Sequence, residues 1–239
     1  MAVVGVRQKI YQGGLERGVE FSPPPIHAIH PAAARHPKKP ARPVGGAVKR
    51  ITDVAIAGAA LVFLAPVMLG VAIAVRLETS GPVLFRQRRG GYRGQTFLIL
   101  KFRTMTVLDD GHSVAQAEDA DPRVTRLGAL LRKTSLDELP QLINVLKGDM
   151  SLVGPRPHAV AHDAEFGVVA PNYLKRRRAR PGITGLAQIS GSRGKITSTE
   201  CIHERVRYDL TYMSTWSLWN DFQILFRTAL LLTGHKRPS

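Results

Sequence analysis

The chain has 239 residues, enough for one domain with a hydrophobic core, and nothing in its length demands a second. Its 34 lysines and arginines outnumber 18 acidic residues, and the formal net charge of +16 indicates an anionic partner: nucleic acid, acidic lipid or a phosphorylated substrate. The single cysteine, Cys201, excludes an internal disulfide framework and the usual zinc patterns. A reducing compartment is therefore expected.

Residues 1–48 are rich in proline and basic side chains. Such a composition cannot bury enough apolar surface to offset the entropy of ordering, so it predicts a flexible tail that anionic lipid headgroups can attract. The first strongly apolar run begins at Val54, too late for a signal peptide, and we expect no export. The remainder, residues 49–239, is predicted to form the domain.

Residues 54–75 form a run of 22 residues without a charge, and as a helix they would reach about 33 Å, enough to cross a bilayer core. Pro66 lies near the middle, where it predicts a bend. Basic residues flank both ends, which favours keeping both on the cytoplasmic side. The sequence thus predicts a re-entrant membrane helix, with a full span as the alternative.

A β-hairpin is predicted next, with strands at residues 83–85 and 96–100 around the glycine-rich turn at residues 89–94. The turn lacks the spacing of a phosphate-binding loop, so tight-turn geometry explains its glycines. Residues 108–121 are polar and acidic, which predicts an exposed loop or, alternatively, a cation site. Asp121 and Pro122 then open an amphipathic helix.

Adjacent carboxylates, Asp137 and Glu138, stand out in this basic chain. Ser135 and Glu138 fit a capping box at the start of a helix running to Leu146, which is a purely structural interpretation. Alternatively, Asp137 in the first turn is ready to coordinate a divalent cation or to attack phosphorus, since the helix dipole favours its ionised form. The two interpretations are compatible, and the residues alone leave both open.

Several basic residues are candidates for binding a phosphate. Two prolines flank Arg156 after a helix stop at Gly148, and a fixed guanidinium suits phosphate, although pairing with Asp149 is the alternative. Lys101 and Arg103 alternate with an apolar residue at the end of the hairpin, so both are predicted to point to one face.

The C-terminal part carries two further patterns. The run at residues 175–180 is typical of a nucleic-acid patch, a headgroup patch or a solvated helix face. Residues 208–227 are rich in aromatic side chains, which predicts an amphipathic helix at a water–lipid boundary, with a soluble core helix as the alternative.

Three motifs, Lys101–Met105, Thr134–Pro157 and Arg180–Gly185, closely resemble the bacterial sugar transferase family, the monotopic phosphoglycosyl transferases of exopolysaccharide and glycan assembly. The resemblance covers about residues 49–233. It implies an α+β, mainly helical fold with a re-entrant, proline-broken membrane helix, a small β-hairpin, amphipathic interfacial helices and a catalytic part at about residues 83–233. Two departures are Ala65 before Pro66, where the family has serine, and Leu186, where it usually has tryptophan.

The resemblance also implies a reaction. A nucleophilic aspartate attacks a UDP-sugar, UMP leaves, and undecaprenyl phosphate takes the phosphosugar at the cytoplasmic face of the inner membrane, before downstream glycosyltransferases act. Magnesium is expected, because a diphosphate approaching carboxylates needs its charge neutralised. The implied roles are Asp137 as nucleophile, Glu138 as its partner, both as Mg²⁺ ligands, and Lys101, Arg103, Arg156, Arg180 and Gln188 as substrate-binding residues.

Two rival hypotheses come from other classes of protein. A basic nucleic-acid-binding protein with an anchor accounts for the charge, and a catalytically silent scaffold for glycan enzymes accounts for the membrane segment. Neither explains why two acids are adjacent, so we expect no nucleic-acid partner.

Overall fold

The computed structural model describes residues 43–106, 121–194 and 196–233. Most of the predicted tail and of the acidic stretch at residues 108–121 lie outside these ranges. The described part is mainly helical, as the family resemblance implies. It has two small two-stranded sheets, of which the sequence predicts only the antiparallel hairpin.

The first helix, α1 (Gly46–Glu78), is longer at both ends than the predicted membrane segment. It remains helical on both sides of Pro66, which lies within it. Within the described ranges, α1 alone is long and apolar enough to cross a membrane. The re-entrant path stays a prediction.

One face of α1 packs on the rest of the domain and the other is bare. Lys49, Asp53, Ala57 and Val75 are buried along the inner face. The outer face carries exposed large apolar side chains: Ile51, Val54, Val62, Phe63, Val67, Leu69, Ile73 and Leu77.

The predicted hairpin is confirmed. Strands β1 (Leu84–Gly90) and β2 (Thr96–Phe102) pair antiparallel, with Phe85 opposite Lys101, and the 3₁₀ turn Tyr92–Gly94 joins them. The buried side chains of Ile99, Leu100 and Phe102 anchor β2 in the core.

Helices α2 (Arg126–Thr134) and α3 (Gln141–Lys147) flank a 3₁₀ turn at Leu136–Glu138. The predicted amphipathic helix after Asp121 therefore begins only at Arg126, where the Thr125 side chain caps it. The predicted helix stop at Gly148 is confirmed, because this residue ends α3 with φ 93°, a left-handed conformation that glycine adopts readily.

Strand β3 (Ser151–Val153) pairs parallel with β4 (Gly182–Thr184). The backbone segments at Gly154 and Gly182 lie very close together after β3. A Cβ atom at Gly182 would lie 2.1 Å from the Gly154 nitrogen, and a Cβ atom at Gly154 would lie 2.4 Å from the Arg180 carbonyl oxygen. Both motif glycines are thus required by close backbone packing.

The remaining elements are α4 (Val160–Val169), a 3₁₀ turn at Tyr173–Arg178, α5 (Leu186–Ile189), α6 (Thr199–Ser214) and α7 (Leu218–Leu232). The largest apolar cluster joins α1 to α3, β3 and α7 and includes Ala57, Val145 and Ile224. A second joins the C-terminal half of α1 to β2 and α2.

The predicted aromatic interfacial helix corresponds to two helices, because the chain turns at Ser217, whose side chain caps α7. Helix α7 is amphipathic. Ile224 is buried, whereas Trp219 and Phe226 are 68% and 66% exposed.

Candidate active site

The adjacent acids lie on the 3₁₀ turn between α2 and α3. Their apolar neighbours, Leu136 and Leu139, pack against the cluster of Val75, Phe102 and Leu131, which fixes the turn. Both carboxylate residues are buried, with Asp137 7% and Glu138 8% exposed.

The capping-box interpretation is wrong. Ser135 adopts a left-handed conformation, with φ 60°, and its side chain makes no capping hydrogen bond; instead its hydroxyl accepts one from Arg193 Nη2 at 2.6 Å. Glu138 bonds to cations, and α3 begins only at Gln141, after Pro140. The local signal fails because tertiary packing, not capping, shapes this turn.

Glu138 is held as an anion. Its Oε1 accepts hydrogen bonds from Lys101 Nζ at 2.8 Å and from Arg156 Nη2 at 2.9 Å. Burial acts to raise the pKa of Glu138, but the attraction and hydrogen bonds of these two cations outweigh it and hold the pKa well below its ordinary range. The same attraction raises the pKa of Arg156.

Asp137 has a different environment although it is the next residue. Lys101 Nζ lies 3.8 Å from its Oδ2, and within the described ranges no group donates a hydrogen bond to its carboxylate. Burial raises the pKa of Asp137, and the charge of Glu138 adds to this, against the opposing attraction of Lys101 and Arg156. Two neighbouring acids with oppositely shifted pKa values are typical of catalytic pairs.

A cavity of about 160 Å³ opens beside Glu138 and Arg156. Gln188 also lines it, and its buried Oε1 has no hydrogen-bond partner among the residues that the structure describes. An unsatisfied buried oxygen of this kind costs stability, so it is a feature that packing alone does not explain. The other lining residues are Ser135, Leu139, Leu142, Ile183, Thr184, Ile189, Arg193, Thr228, Leu231 and Leu232.

The prediction that Lys101 and Arg103 share a face is wrong. Lys101 donates to Glu138 and lies 3.8 Å from Asp137. Arg103 instead donates to the carbonyl oxygens of Thr79 and Ser80, each at 2.7 Å, in the segment after α1. Strand β2 ends at Phe102, so the alternation of a strand does not extend to Arg103.

Arg180 is also not brought to the acidic pair. Its Nε donates to the Gly148 carbonyl oxygen at 3.0 Å, and its guanidinium lies 5.9 Å from the ring centre of Tyr92. The alternative pairing of Arg156 with Asp149 is wrong as well, because Arg156 bonds to Glu138 and Asp149 accepts from Asn144.

A buried polar network behind Arg156 escaped the sequence analysis. Arg176 Nη2 donates to the Arg156 carbonyl oxygen at 2.8 Å, and its Nε donates to Asp209 Oδ2 at 2.6 Å. Arg176 belongs to the run predicted to be a solvated face or a binding patch, and Arg177 of that run pairs with Asp163. Arg176 and Arg177 thus pair with acids of the domain itself.

His158 completes this network. Tyr173 donates its hydroxyl hydrogen to Asp163, so the hydroxyl oxygen accepts from His158 Nδ1 at 2.6 Å, which leaves Nε2 to accept from Arg205 at 3.3 Å. Burial, together with Arg176 and Arg205, lowers the pKa of His158 and keeps it neutral. The sequence signal was the histidine directly after the Pro-Arg-Pro motif.

Arg193, which sequence reasoning also missed, lies on the exposed loop after α5 and reaches across the cavity to Ser135. No local pattern marks it, because the contact joins residues 58 positions apart.

The acidic pair fits Mg²⁺. Magnesium is held in such sites by one or two carboxylates and by substrate phosphates, and Asp137 and Glu138 offer hard oxygen donors. In the described ranges no cluster of three or more His, Cys, Asp or Glu side chains forms a preassembled metal site. Because Asp137 accepts no hydrogen bond from the described residues, its carboxylate oxygens have lone pairs available for a metal ion.

Two buried acids, the cations Lys101 and Arg156, and a cavity thus lie together in this part of the domain. The profile of the bacterial sugar transferase family matches residues 44–235. The chain therefore belongs to this family, and the prediction of a sugar transferase enzyme is confirmed at the level of the family.

Three related proteins share extensive sequence identity with this chain. The chain is 53% identical over 189 residues to the UDP-glucose:undecaprenyl-phosphate glucose-1-phosphate transferase of Caulobacter vibrioides, covering 78% of this chain and 71% of that protein. It is 48% identical over 181 residues to the Escherichia coli protein of the same name, covering 76% of this chain and 39% of that protein.

The third relative is the UDP-N-acetylgalactosamine-undecaprenyl-phosphate N-acetylgalactosaminephosphotransferase of Aeromonas hydrophila, 40% identical over 193 residues, covering 80% of this chain and 45% of that protein. The chain thus spans less than half the length of two of these relatives.

Proposed function

We propose that this protein transfers a sugar phosphate from a UDP-sugar to undecaprenyl phosphate, with Asp137 as the nucleophile. The observation that carries the proposal is the asymmetry of the acidic pair. Glu138 is fixed as an anion by Lys101 and Arg156, whereas Asp137 accepts no hydrogen bond within the described ranges and keeps its oxygens available for attack. The names of the relatives supply the substrates.

In the first step a carboxylate oxygen of Asp137 attacks the phosphorus that carries the sugar. The bond from this phosphorus to the bridging oxygen breaks, and UMP leaves with that oxygen. Lys101 lies beside both acids and Arg156 beside Glu138, so their charges oppose the repulsion between a carboxylate and a diphosphate.

In the second step a phosphate oxygen of undecaprenyl phosphate attacks the same phosphorus. The bond to Asp137 breaks, which restores the carboxylate and yields the lipid diphosphate sugar. Glu138 stays ionised throughout because its two cations hold its pKa low, so it stabilises bound cations rather than transferring a proton.

Mg²⁺ bound by Asp137, Glu138 and the diphosphate would neutralise the charge of the substrate. Asp137 and Glu138 are the acids that would bind the ion. Lys101 and Arg156 both donate to Glu138 Oε1, so neither occupies Oε2.

UDP-glucose is the first donor to test, because both of the most similar relatives described above are named for it. UDP-N-acetylgalactosamine is the second donor, on the name of the third relative.

A monotopic attachment to the cytoplasmic face of the inner membrane is part of the proposal. Near one end of α1, Lys49 and Asp53 bond to Asp221 and Ser151; near the other, Val75 packs in the cluster of Phe102 and Leu131. Both ends of the helix thus contact the same domain, which favours a re-entrant path over a span. Cysteine labelling at both ends of α1 tests it, since labels on opposite sides of the membrane would mean a span.

The reaction is tested by UMP release from the detergent-solubilised protein, with a panel of UDP-sugars, magnesium and undecaprenyl phosphate. With donor labelled at the sugar-linked phosphate and no lipid, the expected result is labelled protein that loses its label when the lipid is added. Release without any labelled protein would overturn the covalent intermediate, and no release with any donor would overturn the function.

A further inference from the structure

The lining of the active-site cavity combines two chemical kinds of side chain. Three charged side chains, Glu138, Arg156 and Arg193, form what we call its charged end. Six apolar side chains form what we call its apolar end: Leu139 after the 3₁₀ turn, Leu142 of α3, Ile183 of β4, Ile189 of α5, and Leu231 and Leu232 of α7. A ligand that contacts both sets must itself be an amphiphile.

We infer that the apolar end binds the first isoprene unit of the lipid acceptor and that Arg193 binds the acceptor's phosphate; this rests on the proposed function. A sugar nucleotide is polar along its length, and its hydroxyls would lose their hydrogen bonds to water against leucine and isoleucine. A prenyl phosphate matches both ends.

The size of the cavity limits how much of the lipid enters it. A leucine-lined cavity of about 150 Å³ holds one benzene ring, so the 160 Å³ here suits roughly one five-carbon isoprene unit. The rest of the chain must leave the cavity.

The apolar wall leads to the protein surface. Leu231 and Leu232, at the C-terminal end of α7, are 38% and 44% exposed, and the same helix exposes Phe226 and Trp219. A prenyl chain that leaves between the two leucines therefore meets an apolar surface rather than water, which favours the bound state.

Arg193 is the cation available for the acceptor phosphate. Arg156 is already paired with Glu138, whereas Arg193 has no carboxylate partner among the described residues and bonds only to the neutral hydroxyl of Ser135. Its uncompensated charge at the cavity suits a second phosphate after UMP has left.

The decisive test compares Leu231→Gln with Leu230→Gln. Both leucines lie on α7 and are almost equally exposed, at 38% and 39%, but only Leu231 lines the cavity. With Leu231→Gln the KM for undecaprenyl phosphate is expected to rise about tenfold, while the KM for the UDP-sugar stays within about twofold. Leu230→Gln is expected to leave both KM values within about twofold, because Leu230 does not line the cavity.

A short acceptor separates the cavity from the membrane surface. With a prenyl phosphate of two isoprene units, the effect of Leu231→Gln is expected to persist, because the unit next to the phosphate is the one in the cavity. If the effect disappears with this acceptor, or if both variants respond alike, the inferred subsite is wrong.

Arg193→Gln tests the phosphate contact, with Arg207→Gln as the control on the exposed face of α6. The expected result is a rise of about tenfold or more in the KM for the lipid and, without lipid, an unchanged yield of labelled protein from the donor. A lower yield of labelled protein would instead assign Arg193 to the donor. Wild-type protein that transfers nothing would overturn the proposed function itself, whereas active wild type with an indifferent Leu231→Gln would overturn the subsite alone.

Discussion

Two parts of this molecule bury acids next to cations, and they use them differently. Near the N-terminal end of α1, Asp221 accepts hydrogen bonds from Lys49, Tyr212 and Trp216, at 2.7, 2.7 and 3.1 Å. Asp53 accepts from the Ser151 hydroxyl and the Leu152 amide, at 2.7 and 3.2 Å. On the turn between α2 and α3, by contrast, Asp137 accepts no hydrogen bond from the described residues.

The difference separates structural from chemical roles. A buried carboxylate with several donors is stabilised by them, and removing one donor leaves an uncompensated charge. A buried carboxylate that accepts no hydrogen bond costs stability, and such a cost is typical of a site arranged for chemistry. Asp53 and Asp221 fasten α1 to the domain, whereas the carboxylate oxygens of Asp137 remain available to a substrate.

Asp137→Asn is expected to have the largest effect on activity. Loss of the nucleophile should lower UMP release by about a thousandfold or more. Burial raises the pKa of Asp137, so the ionised form costs stability as pH rises through that pKa, and asparagine removes the cost at neutral pH. The melting temperature in detergent should therefore be equal or higher, and a clear drop would contradict the assigned role.

Lys49→Met is expected to show the opposite pattern. The substitution leaves Asp53 and Asp221 buried without their cation, and breaking such a pair costs about 3 kcal/mol or more. Thermal melts should show a large destabilisation, with Lys147→Met, at an exposed position, as the control. A melting temperature equal to that of wild type would mean that the ion pairs of Lys49 with Asp53 and Asp221 do not fasten α1 to the domain.

Arg156→Lys tests whether the guanidinium matters beyond its charge. Lysine keeps a cation near Glu138 but loses the fixed planar donor, so kcat/KM for the donor should fall about 10- to 100-fold. The measurement is steady-state UMP release at fixed lipid. Activity close to that of wild type would show that charge alone suffices there.

The pH profile distinguishes the two acids. Protonation of Asp137 removes the nucleophile, so kcat/KM should fall as pH drops through its pKa, which lies above the ordinary value of 3.8 because of burial. Glu138 stays ionised in this range and adds no second step. Lys101 lowers the pKa of Asp137, so Lys101→Met should move the acid limb to higher pH; a shift to lower pH would contradict this arrangement.

The sequence predicted features that depend on near neighbours. The hairpin, the stop at Gly148 and the presence of an acidic pair all follow from local patterns. Lys101 and Arg156, which the family resemblance implies to be substrate-binding residues, lie beside that pair and bond to Glu138. The failures concern contacts between distant segments. Arg176 meets Asp209 33 residues away, and Arg193 meets Ser135 58 residues away, which no spacing rule can show.

The capping-box error has a related cause. Ser135 and Glu138 have the right spacing, but Glu138 gains more from two cations than from a backbone amide, and Pro140 delays the helix. Arg103 lies one residue beyond the end of β2, so the alternation of a strand does not extend to it. In both cases a local rule was outweighed by a tertiary contact.

Arg180→Lys is expected to have the smallest effect on activity and gives the sharpest contrast with Arg156→Lys. Both arginines follow from sequence motifs, but Arg180 bonds to the Gly148 carbonyl oxygen and makes no hydrogen bond to the acidic pair. Lysine can reach the same carbonyl, so kcat/KM should change by less than about threefold, with a small loss of stability where α3 ends. The two substitutions are chemically identical and keep the charge, so the variants differ only in the position that is changed. If Arg180→Lys lowers kcat/KM as much as Arg156→Lys does, then Arg180 must leave Gly148 to bind substrate, and the separation of the two arginines would not hold in the working enzyme.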